Sequence, residues 1–372
     1  MKPAAGRIPP SPRRISIDIT THCNLKCSYC YHFNSPGEVD HDLPAEAWCR
    51  FFAELKREHV LQVAFAGGEP FCRSDLRSLL ETAADCRLRF SFASNGTLIT
   101  GETARFLAEC GRCDAVQVSI DGSRRAHEAC RGAGTFEPAI RGIRLLQEAG
   151  VPVQVRVTLS RRNVGTLAET AKLLLEELGL PAFSTNSVLV AGSCLAAADT
   201  LELCPEEFAA SMREHRKIAS RYPGRIRATA GPLAALRSWS RMLQAVRENA
   251  DPESGGGRLS SCSGVFRELG VLADGTFIAC TQLPDAVLGR INQDSLQEVW
   301  LRARPLLELR NRKLRKLREL PFCRTCPYVD YCRGGCPAER PDPEAQPPLR
   351  SCLRRFLESV GNFEFLSTDC NL

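Results

Sequence analysis

The first half of the chain alternates short apolar runs with longer stretches of helical periodicity. Arg14–Thr20, Leu61–Ala66, Arg89–Ser94, Ala115–Ile120, Val153–Leu159 and Ala182–Val190 are rich in Val, Ile and Phe, which predicts strands. Between them Pro44–Glu58, Arg73–Cys86, Gly101–Cys110, Phe136–Ala149 and Val164–Leu178 carry helical patterns. Pro44 suits a first helical turn and Gly150 the position just past a helix end. Six such alternations imply parallel strands joined by right-handed crossovers, hence an α/β sheet or barrel.

After Val190 the rhythm changes. Pro205–Arg221 and Leu233–Asn249 predict helices, and Asp251–Arg258 reads as a linker. From Cys262 onward short strands, turns and cysteines follow, with a hairpin expected over Val271–Cys280 that turns at Asp274-Gly275. These breaks divide the chain into an extension (1–13), an α/β unit (14–204), a helical bridge with linker (205–258), a cysteine-rich domain (259–356) and a tail (357–372). The expected fold class is therefore α/β with a small, loop-rich C-terminal domain.

Composition narrows the class. With 372 residues, 44% hydrophobic and 25% charged, wholesale disorder is excluded, and a net charge of +6 is too mild to imply nucleic acid. Met1–Arg14 has no apolar signal core, and the uncharged run Ala182–Ala198 is interrupted by Ser184, Thr185, Asn186, Ser187 and Ser193. A cytoplasmic protein with no membrane partner is expected. The outlier is cysteine, at 19 residues. In a reducing compartment, thiols in that number point to metal or redox chemistry rather than disulfides.

Three of these thiols, Cys23, Cys27 and Cys30, follow the first predicted strand in a C-x3-C-x2-C pattern. Three thiolates on one loop can converge on a four-iron cluster and leave one iron open for a small molecule. The same spacing would serve a zinc site with a distant fourth ligand. The next strands end in Gly67-Gly68-Glu69, Ser94-Asn95-Gly96 and Ser119-Ile120-Asp121-Gly122. Paired glycines let a ligand approach the backbone, and a carboxylate there can hold an ammonium group. Polar groups at the carboxyl ends of successive parallel strands mark a ligand face.

On these motifs the sequence resembles the radical SAM superfamily over about Arg14 to Val190. The resemblance implies a partial (β/α)6 barrel of TIM type in which Cys23, Cys27 and Cys30 hold a 4Fe–4S cluster. It implies that S-adenosyl-L-methionine chelates the open iron, with Tyr29 against the adenine and Gly67, Gly68 and Glu69 receiving the amino group. Ser119 matches a ribose and carboxylate contact, and Arg131 an arginine that pairs with the carboxylate. Arg156, inside the apolar strand Val153–Leu159, needs a partner and faces either the ligand or a barrel carboxylate.

The C-terminal third carries a second pattern. Cys262 is followed by Gly275 and Cys280, then by Cys323-x2-Cys326-x5-Cys332-x3-Cys336 and finally Cys352. A domain this small and loop-rich needs a metal staple, for which zinc is the generic choice. The order and spacing resemble the SPASM domain of radical SAM enzymes that modify peptides and proteins. That likeness implies two auxiliary 4Fe–4S clusters, an outer one on Cys323, Cys326, Cys332 and Cys352 and an inner one on Cys262, Cys280 and Cys336. With no cysteine before Cys262 nearer than Cys204, the inner cluster is expected to have an open iron. Cys49, Cys72, Cys86, Cys110, Cys113, Cys130, Cys194 and Cys204 read as small apolar packing residues, and Cys370 has no assigned role.

The resemblance further implies reductive cleavage of S-adenosylmethionine to a 5′-deoxyadenosyl radical, with electrons from a donor such as flavodoxin or ferredoxin. The expected substrate is a peptide or protein, foremost a ribosomally made precursor that receives a thioether or carbon–carbon crosslink. Modification of a tetrapyrrole is an alternative. Sulfatase maturation is disfavoured, because Thr281 follows Cys280 where those relatives carry an aspartate. With thirteen residues before the first strand, no separate N-terminal peptide-binding domain is expected. Arg302–Arg318 holds eight Lys or Arg against one Glu and reads as the solvated face of an amphipathic helix before it reads as an acidic-peptide dock. A non-catalytic zinc protein that binds nucleic acid is the remote rival.

Overall fold

The computed structural model describes residues 8–31, 42–252 and 256–361. Six parallel strands stand side by side in chain order: β1 (Arg14–Thr20), β2 (Gln62–Gly67), β3 (Arg89–Ser94), β4 (Cys113–Ser119), β5 (Val153–Leu159) and β6 (Phe183–Ser187). Each expected strand is present: β1, β3 and β5 have the expected bounds, and the ends of β2, β4 and β6 move by one to three residues. β7 (Ile226–Ala228) extends the β6 edge in parallel, and β8 (Glu268–Val271) extends the β1 edge, also in parallel. β9 (Thr276–Ile278) adds antiparallel to β8, and β10 (Val287–Arg290) antiparallel to β9. The ten-stranded sheet runs from β10 to β7 without closing, a partial barrel.

Strand alternation builds its two faces. Ile15, Ile17, Ile19, Val63, Phe65, Phe90, Val116, Val118, Val155 and Val157 are buried, and they pack under the surrounding helices in one continuous core. Helix Ala45–Arg57 shows how the other layer is made, since Trp48, Phe51, Phe52 and Leu55 recur at helical spacing and are fully buried. The opposite strand face carries Ser16, Ala64, Ala66, Ser91, Ala93, Ala115, Gln117, Gln154 and Arg156, and these line a cavity of about 430 Å³ inside the barrel. Small and polar side chains leave the lumen open where larger apolar ones would fill it.

Two elements depart from expectation. The bridge was expected to be all helix and linker, yet β7 lies between helices Pro205–Arg221 and Gly231–Arg247, where Phe183 pairs with Ile226 and Thr185 with Ala228. Three residues are too few to show a period of two. A helix over Arg124–Arg131 was not anticipated; its apolar positions are few, and it is held by tertiary contacts described below. The expected turn at Asp274-Gly275 is present, with Gly275 at φ 87° and the Asp274 carboxylate accepting from the Thr276 N–H.

The basic segment is not a continuous helix, and only part of it is the expected solvated face: Arg302, Arg304, Lys316 and Arg318 are exposed, while Arg310 is buried. The segment breaks into helix Arg304–Asn311 and two short 3-10 turns, and much of its charge is used internally. Arg310, 2% exposed, donates to the carbonyls of Val265 (2.8 Å) and Trp300 (2.6 Å) and stacks 4.2 Å over the Trp300 ring. Arg312 reaches the carbonyls of Ser260 and Arg340, and Arg318 pairs with Asp330. The arginines thus supply hydrogen bonds to loop carbonyls that have no strand partner. Arg310→Ala, which leaves two buried carbonyls unpaired, is expected to destabilise the protein by about 2–4 kcal/mol, read as a lower melting temperature.

Candidate active site

The loop that leaves β1 is set by backbone contacts at the end of β2. Gly68 N–H donates to the Thr20 carbonyl (2.8 Å) and Glu69 N–H to the His22 carbonyl (2.7 Å). A Cβ on Gly68 would lie 2.1 Å from the His22 carbonyl oxygen, and Gly67, at φ 109°, would place one 2.4 Å from that of Thr20. The glycine pair therefore admits the chain's own backbone, a closer approach than any side chain allows. Asp42 holds the loop from the other side by accepting from Thr21 N–H (2.8 Å) and the Thr20 hydroxyl. Ser28 N–H donates to the Cys130 carbonyl (3.1 Å) and Ser193 N–H to that of Cys30 (2.8 Å), so the cysteines are clamped along their whole length.

Glu69 turns inward. Its carboxylate, 1% exposed, accepts from the Ser94 hydroxyl (2.8 Å), Asn95 N–H (2.7 Å) and Phe71 N–H (3.2 Å), which ties the ends of β2 and β3 together. Burial raises its pKa to about 7, against the lowering effect of these three donors. Asn95 passes the connection on through its side-chain amide to Asn24 in the cysteine loop (2.9 Å).

At the end of β4 the hub is Asp121, fully buried. It pairs with Arg131 (2.6 Å), accepts from the Tyr29 hydroxyl and from Thr158 N–H (2.9 Å), and its own N–H donates to His127 Nδ1 (3.2 Å). Burial lowers the His127 pKa to about 4, so the ring is neutral and can accept at Nδ1. Arg131, 8% exposed, lies 5.4 Å over the Tyr29 ring and 4.0 Å from the Cys27 sulfur. This is not a solvated surface arginine. Helix Arg124–Arg131 is fixed by this pair and by the Cys130 carbonyl that receives Ser28. Ser119, the last residue of β4, stands in register with Arg156 on β5.

The thiols fall into three neighbourhoods, each recognisable by the electrostatic effect of its members on one another. Cys27 acts on Cys23 and Cys30 on Cys27; Cys262 and Cys336 act on Cys280; Cys323, Cys326 and Cys352 act on Cys332. Burial pushes the Cys23 thiol up to about 12 and that of Cys332 to about 11, against a lowering backbone N–H donor in each case, with Glu69 and then Cys27 adding to the rise at Cys23 and the neighbouring thiols at Cys332. Arg340, buried, points both terminal nitrogens at the Cys323 sulfur (3.7 and 3.8 Å). Among the described residues no three of these groups close on a point as the ligands of one metal ion do.

Cys204 stands apart from all three sets, at the N-terminus of helix Pro205–Arg221 beside Glu206 and Glu207. Cys72 departs from the packing role expected of it, being half-buried beside Cys23 and lining a surface pocket with it. Cys130 and Cys194 are buried as expected, and Cys370 lies outside the described residues.

Comparison with known proteins decides the family. Residues 17–174 match the radical SAM superfamily, and residues 262–327 match the iron–sulfur cluster-binding SPASM domain. The chain is a radical SAM enzyme with a SPASM domain. An AdoMet-dependent heme synthase of Methanosarcina barkeri is 26% identical over 329 residues, 87% of this chain and 91% of that one. Mycofactocin maturase MftC of Mycobacterium tuberculosis is 36% identical over 166 residues, 44% of this chain and 42% of the maturase. Among solved structures, Streptococcus suis SuiB bound to precursor peptide SuiA superposes with TM-score 0.70 at 16% identity, covering 92% of this chain and 76% of that one. AdoMet-bound anSMEcpe gives 0.68 at 19% identity, with 93% and 96% covered. At these identities the structures show a shared fold.

A radical SAM enzyme uses a 4Fe–4S cluster and S-adenosylmethionine, and its SPASM domain carries auxiliary iron–sulfur clusters. The donor chemistry of this chain fits them. All eighteen cysteines among the described residues are free thiols, and the ten in the two motifs sort into the three neighbourhoods above. Burial raises the pKa of Cys23, Cys27, Cys280, Cys326, Cys332, Cys336 and Cys352, so binding iron there displaces protons, and cluster assembly and the folding of these loops are coupled.

Asp121, His127 and Asn163 were not singled out as site residues. Asn163 donates to the Asp121 carbonyl (2.9 Å) and His127 accepts from its N–H, contacts between positions far apart in the chain that no local motif announces. Tyr31 was also missed. The residue is 42% exposed, and its hydroxyl hydrogen-bonds with Thr281 and feels the Asp18 carboxylate, which joins the first cysteine loop to the Cys280 segment. Asp121→Ala strands the buried Arg131 charge and is expected to cost about 3–5 kcal/mol. Glu137→Ala, which breaks the exposed pair with Arg124, should cost under about 1 kcal/mol. Thermal melts of the two variants check the contrast.

Proposed function

We propose that this radical SAM enzyme oxidatively modifies a peptide, joining two of its side chains through a thioether or carbon–carbon bond. In this reading Cys23, Cys27 and Cys30 hold the first cluster. S-adenosylmethionine lies over Gly67, Gly68 and Glu69, between Tyr29, Ser119 and Arg131. Cys323, Cys326, Cys332 and Cys352 hold an outer auxiliary cluster, and Cys262, Cys280 and Cys336 an inner one. The bound cofactor supplies a 5′-deoxyadenosyl radical that removes hydrogen from an unactivated carbon.

The chain's own part is to orient and to exclude water. The clamp on the cysteine loop would fix the three thiols that hold the first cluster, and the Asp121–Arg131 pair keeps a rigid guanidinium beside that loop. Crosslink formation releases two hydrogens. One leaves as the abstracted atom, and the other as a proton, released to solvent, and an electron, which auxiliary clusters held by the C-terminal cysteines would take up. A flavodoxin- or ferredoxin-type donor would supply the starting electron, in the cytoplasm, where thiols in this number stay reduced.

The observation that carries the peptide reading is the lining of the lumen. Ser16, Ser91, Gln62, Gln117 and Gln154 present hydroxyl and carboxamide groups to the cavity. These pair with backbone amides in either direction, which a polypeptide needs once desolvated. A flat macrocycle calls for apolar walls, whereas Phe65 and Phe92, the aromatic residues in this lining among the described residues, are buried in the core.

The second reading is chemistry on a tetrapyrrole. It is favoured by the heme synthase match, which runs along 87% of this chain where the peptide maturase MftC matches 44%.

Purified and reconstituted under argon, the enzyme is expected to hold about twelve irons and to release 5′-deoxyadenosine with dithionite. Cys27→Ala should abolish that release. Cys326→Ala should keep it while losing crosslinked product. Co-expression with short peptides encoded beside the gene should yield one whose mass falls by two hydrogens. A mass change in Fe-coproporphyrin III with no change in any peptide would overturn the peptide reading.

A further inference from the structure

The interior of this protein holds several arginines, and nearly all are partnered. Arg131 has Asp121, Arg310 has the carbonyls of Val265 and Trp300, and Arg340 has Cys323 and the carbonyls of Pro343 and Ala345. Arg156 is different. It sits in the middle of β5 with its side chain on the lumen face, half-buried, and lines the barrel cavity. Among the described residues its guanidinium makes no hydrogen bond and no ion pair.

The carboxylates that share the cavity are already engaged. Glu268 accepts from the Ser16 hydroxyl and stands 3.8 Å from Arg14, while Asp114 is paired with Arg89. Arg14 in turn donates to the Ser91 hydroxyl. What faces Arg156 is the Tyr31 phenol and, repelling it, the Arg14 guanidinium. Burial lowers its pKa, yet an arginine stays charged even so. A guanidinium held in a part-dry chamber without an anion is costly, whereas one that meets an anion on binding recovers a charge-assisted, bidentate contact.

Its position says which molecule brings that anion. Arg156 is in register with Ser119 on β4 and Ser184 on β6, at the end of the lumen that adjoins the site proposed for S-adenosylmethionine. The cavity beyond it is enclosed by Ser91, Gln117 and Gln154. We infer that Arg156 anchors a carboxylate of the substrate, so that the reacting carbon lies beside an acidic group: an Asp or Glu side chain or a chain-end carboxylate. This rests on the peptide reading for the source of the carboxylate, although a tetrapyrrole propionate would present the same chemistry.

The test uses the reconstituted holoenzyme under argon. A randomised linear peptide library panned on the wild type should enrich Asp or Glu at one position, and panning on Arg156→Gln should lose that preference. Replacing the acidic residue of a selected peptide by its amide should weaken binding to the wild type by about 10–100-fold and leave binding to Arg156→Gln nearly unchanged. If Arg156→Gln does not fold, as judged by iron content and melting temperature, Arg156→Lys serves: it keeps the charge and loses the fork, so the preference should persist with affinity reduced several-fold.

A parallel arm titrates coproporphyrin III against its tetramethyl ester. Arg156-dependent binding of the free acid, with no acidic enrichment in the library, would support the carboxylate anchor and overturn the peptide reading. No preference for acid over amide or ester in either arm, or a preference that survives Arg156→Gln, would overturn the anchor itself.

Discussion

Two backbone hydrogen bonds, from Gly68 and Glu69 to the carbonyls of Thr20 and His22, govern everything built at the mouth of the barrel. They require a separation that no side chain tolerates, and so they require glycine at that place. Because β1 and β2 are hydrogen-bonded along their length, the contacts turn strand register into loop position. The cysteine loop begins where the strand pair ends, and its first thiol has little freedom relative to the sheet. Glu69 then carries the same register into β3 through Ser94 and Asn95, and Asn95 returns it to Asn24. The circuit closes on the loop it started from.

Charge is handled in two contrasting ways. At Asp121 both carboxylate oxygens and the backbone N–H are answered: Arg131, Tyr29, Thr158 and His127 converge on one residue. Such a network is rigid, because removing one member leaves the others desolvated and unpaired. The lumen, by contrast, keeps polar groups that the protein does not saturate. The stiff rim and the receptive interior are made by the same strands, one by the residues at their carboxyl ends and the other by the residues midway along them.

Much of this was legible in the sequence, for identifiable reasons. β1 to β6 announced themselves through β-rich apolar runs long enough to show, and the helices through apolar positions at helical spacing such as Trp48, Phe51, Phe52 and Leu55. The thiol groupings followed from spacing within short segments, where chain length alone limits how far apart ligands can be. What escaped depended on contacts between distant positions. β7 is three residues long and exists because β6 offers it an edge. Arg310 looks like part of a basic run until Val265 and Trp300 are seen to need it. The importance of Asp121 lies in Tyr29, Arg131 and Thr158, none of them its neighbour in the chain. Arg156 stood between two readings in the sequence, and only the three-dimensional whereabouts of Glu268 and Asp114 separate them.

The pairing of β8 with β1 has a bearing on electron flow. The strand that leads into the Cys280 hairpin is hydrogen-bonded, from Glu268 to Val271, to the strand that leads into the Cys23 loop. Tunnelling between redox centres falls off steeply with separation, and enzymes whose centres ride on hinged domains can gate it by moving them. Here Cys280 follows β9, which pairs with β8, and β8 pairs with β1, so both centres would hang from a single hydrogen-bonded sheet. Their spacing would then be set by the register of the sheet rather than by a hinge.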